Sequence, residues 1–176
     1  MITALYMNQS AVVRVGDKTT DKCTIGRGVR QGCPLSPVLF NIYGEMSIQE
    51  ALQDQRGGIV IGGRTVKSVR FADDTVLLAN SECELQEMLS SLNDVVEDYG
   101  MKINEKKTKV MKISRNSQEG VNIHIKGKKL EEVNQYKYLG SILDSESRRT
   151  KDVRARIGMG KQAFLRRCKF STQQEH

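Results

Sequence analysis

No apolar run in this 176-residue chain approaches the length of a bilayer-crossing helix, which excludes a transmembrane helix. The opening Met-Ile-Thr-Ala-Leu-Tyr-Met-Asn lacks the basic flank and apolar run of a signal peptide, so an intracellular location is expected, nucleus or cytoplasm alike. Cysteine is sparse. Cys23, Cys33, Cys83 and Cys168 form no Cys-x-x-Cys pair, and only His124 and His176 could join them. That argues against a zinc site and leaves buried free thiols in a reducing compartment as the expectation. Without a secretory signal, the sequon Asn8-Gln9-Ser10 reads as chance. There is no internal repeat and no low-complexity linker. What remains has the size of one ordinary domain with a core.

Charge is what the chain has in excess. Lysine and arginine number 28 against 21 acids, a net charge of +7, and the pI is near 9.3. Such a balance favours a polyanionic partner, nucleic acid before membrane. Residues 101–115 hold Lys102, Lys106, Lys107, Lys109, Lys112 and Arg115 against the single acid Glu105, and 148–169 is a second basic stretch. Solvated basic faces are the plain alternative for both.

The chemistry centres on Val69-Arg70-Phe71-Ala72-Asp73-Asp74-Thr75-Val76-Leu77-Leu78-Ala79. Two adjacent carboxylates interrupt two short runs rich in strand formers, which reads as a hairpin with Asp73-Asp74 at its tip. Neighbours on a straight strand face opposite ways, so the two acids can converge only where the backbone turns. Acids held together repel and call for a cation, a shared proton or open solvent. Magnesium suits carboxylate oxygens, water and phosphate. A solvated turn is the bland alternative.

In chain order, residues 1–9 read as the tail of a helix, 10–15 and 21–25 as strands about a turn at Gly16-Asp17-Lys18. Residues 26–34 form a basic, glycine-rich loop, with both prolines at its exit in Pro34-Leu35-Ser36-Pro37. A helix follows, with Val38, Leu39, Ile42, Met46, Ile48 and Leu52 at helical spacing. A glycine-rich loop feeding a helix N-terminus suits phosphate or a polynucleotide backbone. Ile59-Val60-Ile61, Gly62-Gly63 and 64–71 suggest a further hairpin. Ser81-Glu82-Cys83-Glu84 is a capping box. It opens a helix whose stripe Leu85, Met88, Leu89, Leu92, Val95, Val96 and Tyr99 is core, ending at the C′ residue Gly100. Strands are expected around 110–113, 121–125, 130–133 and 136–143, with a polar loop at 116–120 and a turn at 126–128. From Thr150 a basic helix carries Val153, Ile157, Phe164, Leu165 and Cys168, weakened by Gly158 and Gly160, before an unstructured end at 171–176.

These residues resemble the reverse transcriptases of non-LTR (LINE-like) retrotransposons. Gly28-Val29-Arg30-Gln31-Gly32-Cys33-Pro34-Leu35-Ser36-Pro37-Val38-Leu39-Phe40-Asn41 resembles that family's B motif, and Phe71-Ala72-Asp73-Asp74 its C motif. Gly100-Met101-Lys102-Ile103-Asn104-Glu105-Lys106-Lys107-Thr108-Lys109 resembles the D motif, and Tyr136-Lys137-Tyr138-Leu139-Gly140 the E motif. The resemblance implies an α+β fold, a polymerase palm-like antiparallel sheet with packed helices. Residues 1–145 would be part of fingers and palm, and 146–176 the start of the thumb connection and a disordered tail.

The same resemblance implies metal-binding, catalytic Asp73 and Asp74, and a catalytic Lys107 near the leaving pyrophosphate. It implies template and nucleotide contacts from Arg30, Gln31, Gly32, Phe71 and Ala72, and primer support from Tyr138, Leu139 and Gly140. The implied cofactor is Mg2+ or Mn2+; the implied partners are an RNA template, a DNA primer and a dNTP. One departure stands out. The family's third carboxylate, from an A motif upstream of the B loop, is missing: Asp17 and Asp21 sit in a polar turn too near Gln31. The expectation is therefore a fragment of an RNA-directed DNA polymerase, performing two-metal nucleotidyl transfer only within an intact element. The alternatives are a non-catalytic nucleic-acid-binding remnant and an unrelated metal-dependent phosphotransferase.

Overall fold

The computed structural model describes residues 2–114, 120–146 and 150–172. Four helices, α1 (Ile2–Tyr6), α2 (Ser36–Leu52), α3 (Glu82–Asp98) and α4 (Thr150–Thr172), alternate with short strands. Among the described residues every sheet is a two-stranded ladder. The mixed helix-and-strand class is as expected, and the pairings are mostly antiparallel, but they form small separate ladders rather than the single palm-like sheet expected. One ladder differs, since Lys109–Val110 pairs parallel with Glu131–Glu132. Most ladders are local hairpins closed by two-residue turns, which cost little loop entropy. At Gly62-Gly63, Lys126-Gly127 and Leu139-Gly140 both turn residues have positive φ, the geometry that matches strand twist.

The first hairpin corrects the expected strand over 10–15. Gln9–Ala11 pairs with Cys23–Ile25, and Arg14–Val15 with Lys18–Thr19. Between them Val13 N–H donates to Thr20 Oγ1 at 3.0 Å, and Thr20 N–H to the Val13 carbonyl at 3.0 Å. The threonine hydroxyl replaces a backbone partner there and interrupts the ladder.

α3 follows its sequence closely. Ser81 Oγ accepts from Glu84 N–H at 3.2 Å, while Glu84 reaches back to Asn80 N–H at 3.0 Å. At the other end Gly100 N–H bonds the Glu97 carbonyl at 2.8 Å and Met101 N–H the Val96 carbonyl at 2.9 Å. With Gly100 at φ 70°, this is a Schellman stop. Met88, Leu89 and Leu92 are buried as expected.

α2 forms where the spacing predicts a helix, and Leu52 of the spaced set is buried, but the rest of its buried face comes from other residues. Val38, Ile42 and Met46 are exposed, whereas Gly44, Ser47, Ala51 and Leu52 are buried. Small side chains let α3 approach, so Ala51 and Leu52 pack with Met88 and Leu92. The helix has apolar residues on more than one side, and periodicity alone did not say which side meets its neighbour.

A second cluster joins Leu89 to Val110, Val121, Ile123, Ile125 and Leu130. Leu77 and Ile103 touch both clusters. Alternation drives Val121, Ile123 and Ile125 inward, yet only His124–Ile125 is strand. Side chains explain this. Asn122 N–H bonds Glu82 at 2.9 Å, His124 N–H bonds Gln86 at 2.8 Å, and Gln86 Nε2 returns to the His124 carbonyl at 2.9 Å. α3 thus supplies bonds a neighbouring strand would otherwise make. The expected strand at 110–113 likewise shortens to Lys109–Val110, and that at 130–133 to Glu131–Glu132.

Two further corrections concern thiols and the tail. Cys23 and Cys83 are exposed and Cys33 is half-buried, so the expected burial of the thiols does not hold for them; the side chain of Cys168 lies outside the described part. α4 continues through Ser171 and Thr172, contrary to the expected unstructured end from 171, and crosses Gly158 and Gly160 unbroken. Arg115, the loop 116–119, Arg148 and 173–176 lie outside the described residues.

The hairpin Gln135–Tyr138 with Ser141–Asp144 anchors α4. Asp152 accepts from Ile142 N–H at 2.9 Å and pairs with Arg156 Nε at 2.9 Å. The Ile142 amide foremost, then Arg156, holds its carboxyl below the ordinary value of 3.8. A depressed acid contributes stability that is full above the unfolded value and lost as pH falls through the folded one. Acidification below 3.8 should therefore release α4 from the hairpin, read as faster amide exchange at its first turns. Asp152→Asn should flatten that acid limb.

Candidate active site

The Asp hairpin pairs Ser68–Phe71 with Asp74–Leu77, in the register Ser68 to Leu77, Val69 to Val76, Arg70 to Thr75 and Phe71 to Asp74. Ala72 and Asp73 form its two-residue turn. The chain reverses between the two acids' neighbours, so Asp73 sits in the bend and Asp74 opens the returning strand, both exposed. Ala72 adopts φ 53°, a left-handed backbone that disfavours a residue with a Cβ by roughly 1–2 kcal/mol. Such strain often collects at functional sites. Leu77, inserted between the two core clusters, fastens the returning strand.

The outgoing strand has an inverted pattern. Ser68 and Arg70 are half-buried, while Val69 and Phe71 are exposed. Arg70 turns toward α2, where Nη2 donates to the Asn41 carbonyl at 2.9 Å and to Glu45 Oε2 at 3.1 Å. Lys67 Nζ donates to the Leu52 carbonyl at 2.8 Å.

The glycine-rich loop leads into α2. Arg30, Gln31 and Gly32 are exposed, and Gly32 has φ 83°. A small polar network closes the loop onto the helix. Ser36 Oγ donates to the Arg30 carbonyl, Tyr6 OH meets Ser36 Oγ at 3.0 Å, and Tyr6 OH donates to Cys33 Sγ at 3.6 Å. The Tyr6 bond foremost, with amides at the helix start, pulls the Cys33 thiol below its ordinary value.

Lys107 and the primer-support residues stand on other elements. Lys107 is exposed in a turn where its N–H bonds the Asn104 carbonyl at 3.0 Å and Asn104 Oδ1 at 3.2 Å. Tyr138 ends one strand, and Leu139 and Gly140 make the following turn, with φ 48° and 84°. Asp73 and Asp74 share the Asp hairpin with Phe71 and Ala72. The structure joins that hairpin through Arg70 to α2, the helix entered from Arg30, Gln31 and Gly32. Lys107 and residues 138–140 share no ladder with it.

Sequence reasoning passed over Arg70, Lys67 and a tyrosine pair. Tyr43 OH donates to the Tyr99 carbonyl, the rings meet edge-on at 5.1 Å, and Tyr99 OH donates to Glu50 at 2.8 Å. That Glu50 contact raises the Tyr99 phenol. The available signal for Arg70 was Gly44, a glycine amid helical spacing.

Among the described residues no group of three or more His, Cys, Asp or Glu side chains gathers to hold a metal ion. Asp73 and Asp74 offer the hard oxygens that magnesium or manganese takes, so the donor chemistry fits with two protein ligands. Among the described residues no helix is long and apolar enough to cross a membrane.

A family profile described as "Reverse transcriptase (RNA-dependent DNA polymerase)" matches residues 1–143. The chain is 32% identical over 152 residues to a retrovirus-related Pol polyprotein from the type-1 retrotransposable element R2 of Popillia japonica, covering 82% of this chain and 24% of that protein. It is 30% identical over 138 residues to the RNA-directed DNA polymerase from mobile element jockey of Drosophila funebris, covering 72% of this chain and 14% of the other. With the telomerase reverse transcriptase of Mus musculus it shares 31% identity over 107 residues, 60% of this chain and 9% of that one. The chain thus spans a quarter or less of these relatives' lengths.

The Tyr6 network makes one test of the loop's closure. Tyr6→Phe removes the first cause of the depressed Cys33 thiol. Cys33 alkylation near neutral pH should slow and its pH profile move upward, measured by mass spectrometry of the labelled peptide. An unchanged profile would mean that Tyr6 does not tune the loop.

Proposed function

The chain belongs to the reverse transcriptase family, in the branch found in non-LTR retrotransposons, and from that premise we propose that it is a palm-bearing part of an RNA-directed DNA polymerase. The observation that carries this reading is the two-residue turn Ala72-Asp73, which leaves Asp73 in the bend and Asp74 on the first residue of the returning strand, both exposed. The reaction is transfer of a nucleotidyl group from a dNTP to a primer 3′-OH on an RNA template.

Each residue's part is the one that its likeness to the family's motifs implies. Asp73 and Asp74 hold oxygens toward the reacting phosphates. Bound Mg2+ or Mn2+ would supply the clamp on attacking and leaving oxygens in an in-line displacement. Arg30, Gln31 and Gly32 border the template and the incoming nucleotide, with Phe71 and Ala72 flanking the acids. Lys107 brings a cation to the leaving pyrophosphate, where it offsets developing charge or donates a proton. Tyr138, Leu139 and Gly140 support the primer end. Residues 1–145 serve as part of fingers and palm, and 146–176 as the start of the thumb connection.

The fragment needs more protein to work. Two carboxylates leave a two-metal clamp one ligand strand short. Val69 and Phe71 on the Asp hairpin and Val38, Ile42 and Met46 on α2 are exposed apolar side chains. A longer polypeptide bringing the A-motif strand would cover such faces and add the third acid. The net charge of +7 also supports a second reading, a nucleic-acid-binding remnant without catalysis. The family assignment leaves no need for an unrelated phosphotransferase.

Primer extension on an RNA template separates these readings. The 176-residue chain should give no product. A longer chain that includes the upstream block should polymerise, and Asp73→Ala should abolish it. Template-dependent extension by the short chain, lost in Asp73→Ala, would falsify the need for a missing acid.

Nucleic-acid binding by the chain should show little sequence preference. Each phosphate contact from Lys102, Lys106, Lys109 or their neighbours should add roughly 0.7–0.9 to the slope of log affinity against log salt. A gel-shift affinity that stays flat with rising salt would contradict this electrostatic binding.

A further inference from the structure

We propose that Arg70 is a positioning residue, locking the Asp73-Asp74 hairpin onto α2 through a notch at Gly44. The inference rests on the reading of that acid pair as the polymerase site, and adds the device that seats it.

The notch is built from α2. Asn41, Gly44 and Glu45 lie at i, i+3 and i+4, on one face of the helix. The Arg70 guanidinium enters there, donating to the Asn41 carbonyl at 2.9 Å and to Glu45 Oε2 at 3.1 Å. Its side chain is only 15% exposed, against 54% for Glu45. A Cβ on Gly44 would overlap Arg70 Nη1. Glycine within a helix is disfavoured relative to alanine, so a buried glycine in the middle of α2 needs a packing reason, and the guanidinium supplies one. The atom a Cβ would meet is the far end of a flexible side chain. Alanine at position 44 would therefore expel Arg70 and leave the helix intact.

The strand's inverted burial agrees. Arg70 and Ser68 face inward while Val69 and Phe71 face out, a choice that hydrophobic burial alone opposes. Lys67 gives a second fixed point, its Nζ on the carbonyl of Leu52, the last residue of α2. A cation is favoured at that end of a helix by the exposed carbonyls there. Two anchors along one helix determine a direction, whereas one would leave a pivot. Arg70 lies three residues before Asp73, so the acid pair inherits its seat. α2 begins just after the Gln31-Gly32 loop, so the same rod references both motifs.

The test uses the full chain with Mn2+ as probe, in Gly44→Ala, Arg70→Met, the double variant and Asp73→Asn. Thermal melting, amide exchange over residues 68–77 and manganese binding by electron paramagnetic resonance are read together. Gly44→Ala should keep or raise the melting temperature, since alanine is the better helix former. Hairpin exchange should nevertheless quicken roughly tenfold, the scale of a lost charge-assisted hydrogen bond, and manganese binding should weaken as in Arg70→Met. The double variant should be no worse than Arg70→Met alone, because the displaced group is already gone. Wild-type hairpin exchange in Gly44→Ala overturns the lock, as does a fall in melting temperature with faster exchange across every element. Asp73→Asn separates the two failures: wild-type manganese binding in that variant overturns the metal reading, while the exchange comparison decides the lock by itself.

Discussion

The close approach of α2 to α3 is the contact on which the other elements depend. It exists because α2 presents Ser47 and Ala51 where bulk would hold the helices apart, so that Met88 can be fully buried against them. Gly57, just beyond α2, continues the constraint, since a Cβ there would run into Met88 Sδ. Leu77 and Ile103 then wedge between this seam and the cluster under α3. Through Leu77 the Asp hairpin is fixed to both halves of the core, and through Ile103 so is the Lys107 turn's segment.

How far the sequence revealed this depends on whether the deciding interaction was local. α3 was legible because its start, stripe and stop are all written within the helix, in Ser81, Glu84, Met88, Leu92 and Gly100. The hairpin turn at Gly62-Gly63 was legible for the same reason, whereas the acid hairpin turns at Ala72-Asp73, one residue before the Asp73-Asp74 tip that the sequence suggested. The buried face of α2 was not legible, because it is selected by what α3 brings from about forty residues away. The segment at 121–125 was half legible. Alternation placed Val121, Ile123 and Ile125 inward, but the amides between them bond Glu82 and Gln86, which no local pattern announces.

The candidate site divides along the same line. Asp73 and Asp74 stood out as adjacent acids between two strand-like runs, and their likeness to a family motif is what lifted them above a solvated turn; the structure forms the hairpin expected around them. Arg70 was unrecognisable because alternation of polar and apolar residues does not say which face is buried, and here the polar face is the half-buried one. Gly44 was the clue, and it means something only beside the guanidinium. Composition told a coarse story: the positive charge favours a polyanionic partner but names none.

The two-residue turn at Ala72-Asp73 has a consequence for what kinds of change the hairpin can absorb. Side chains in a strand alternate between faces with a period of two, and Leu77 must enter the core while Arg70 meets α2. Exchanging one residue for another at the tip leaves that parity intact. Adding or deleting a single residue there shifts one strand against the other, so that either Leu77 leaves the core or the acid pair changes sides. The tip is therefore open to substitution but closed to changes of length, and its spacing is a ruler set by the core beneath it.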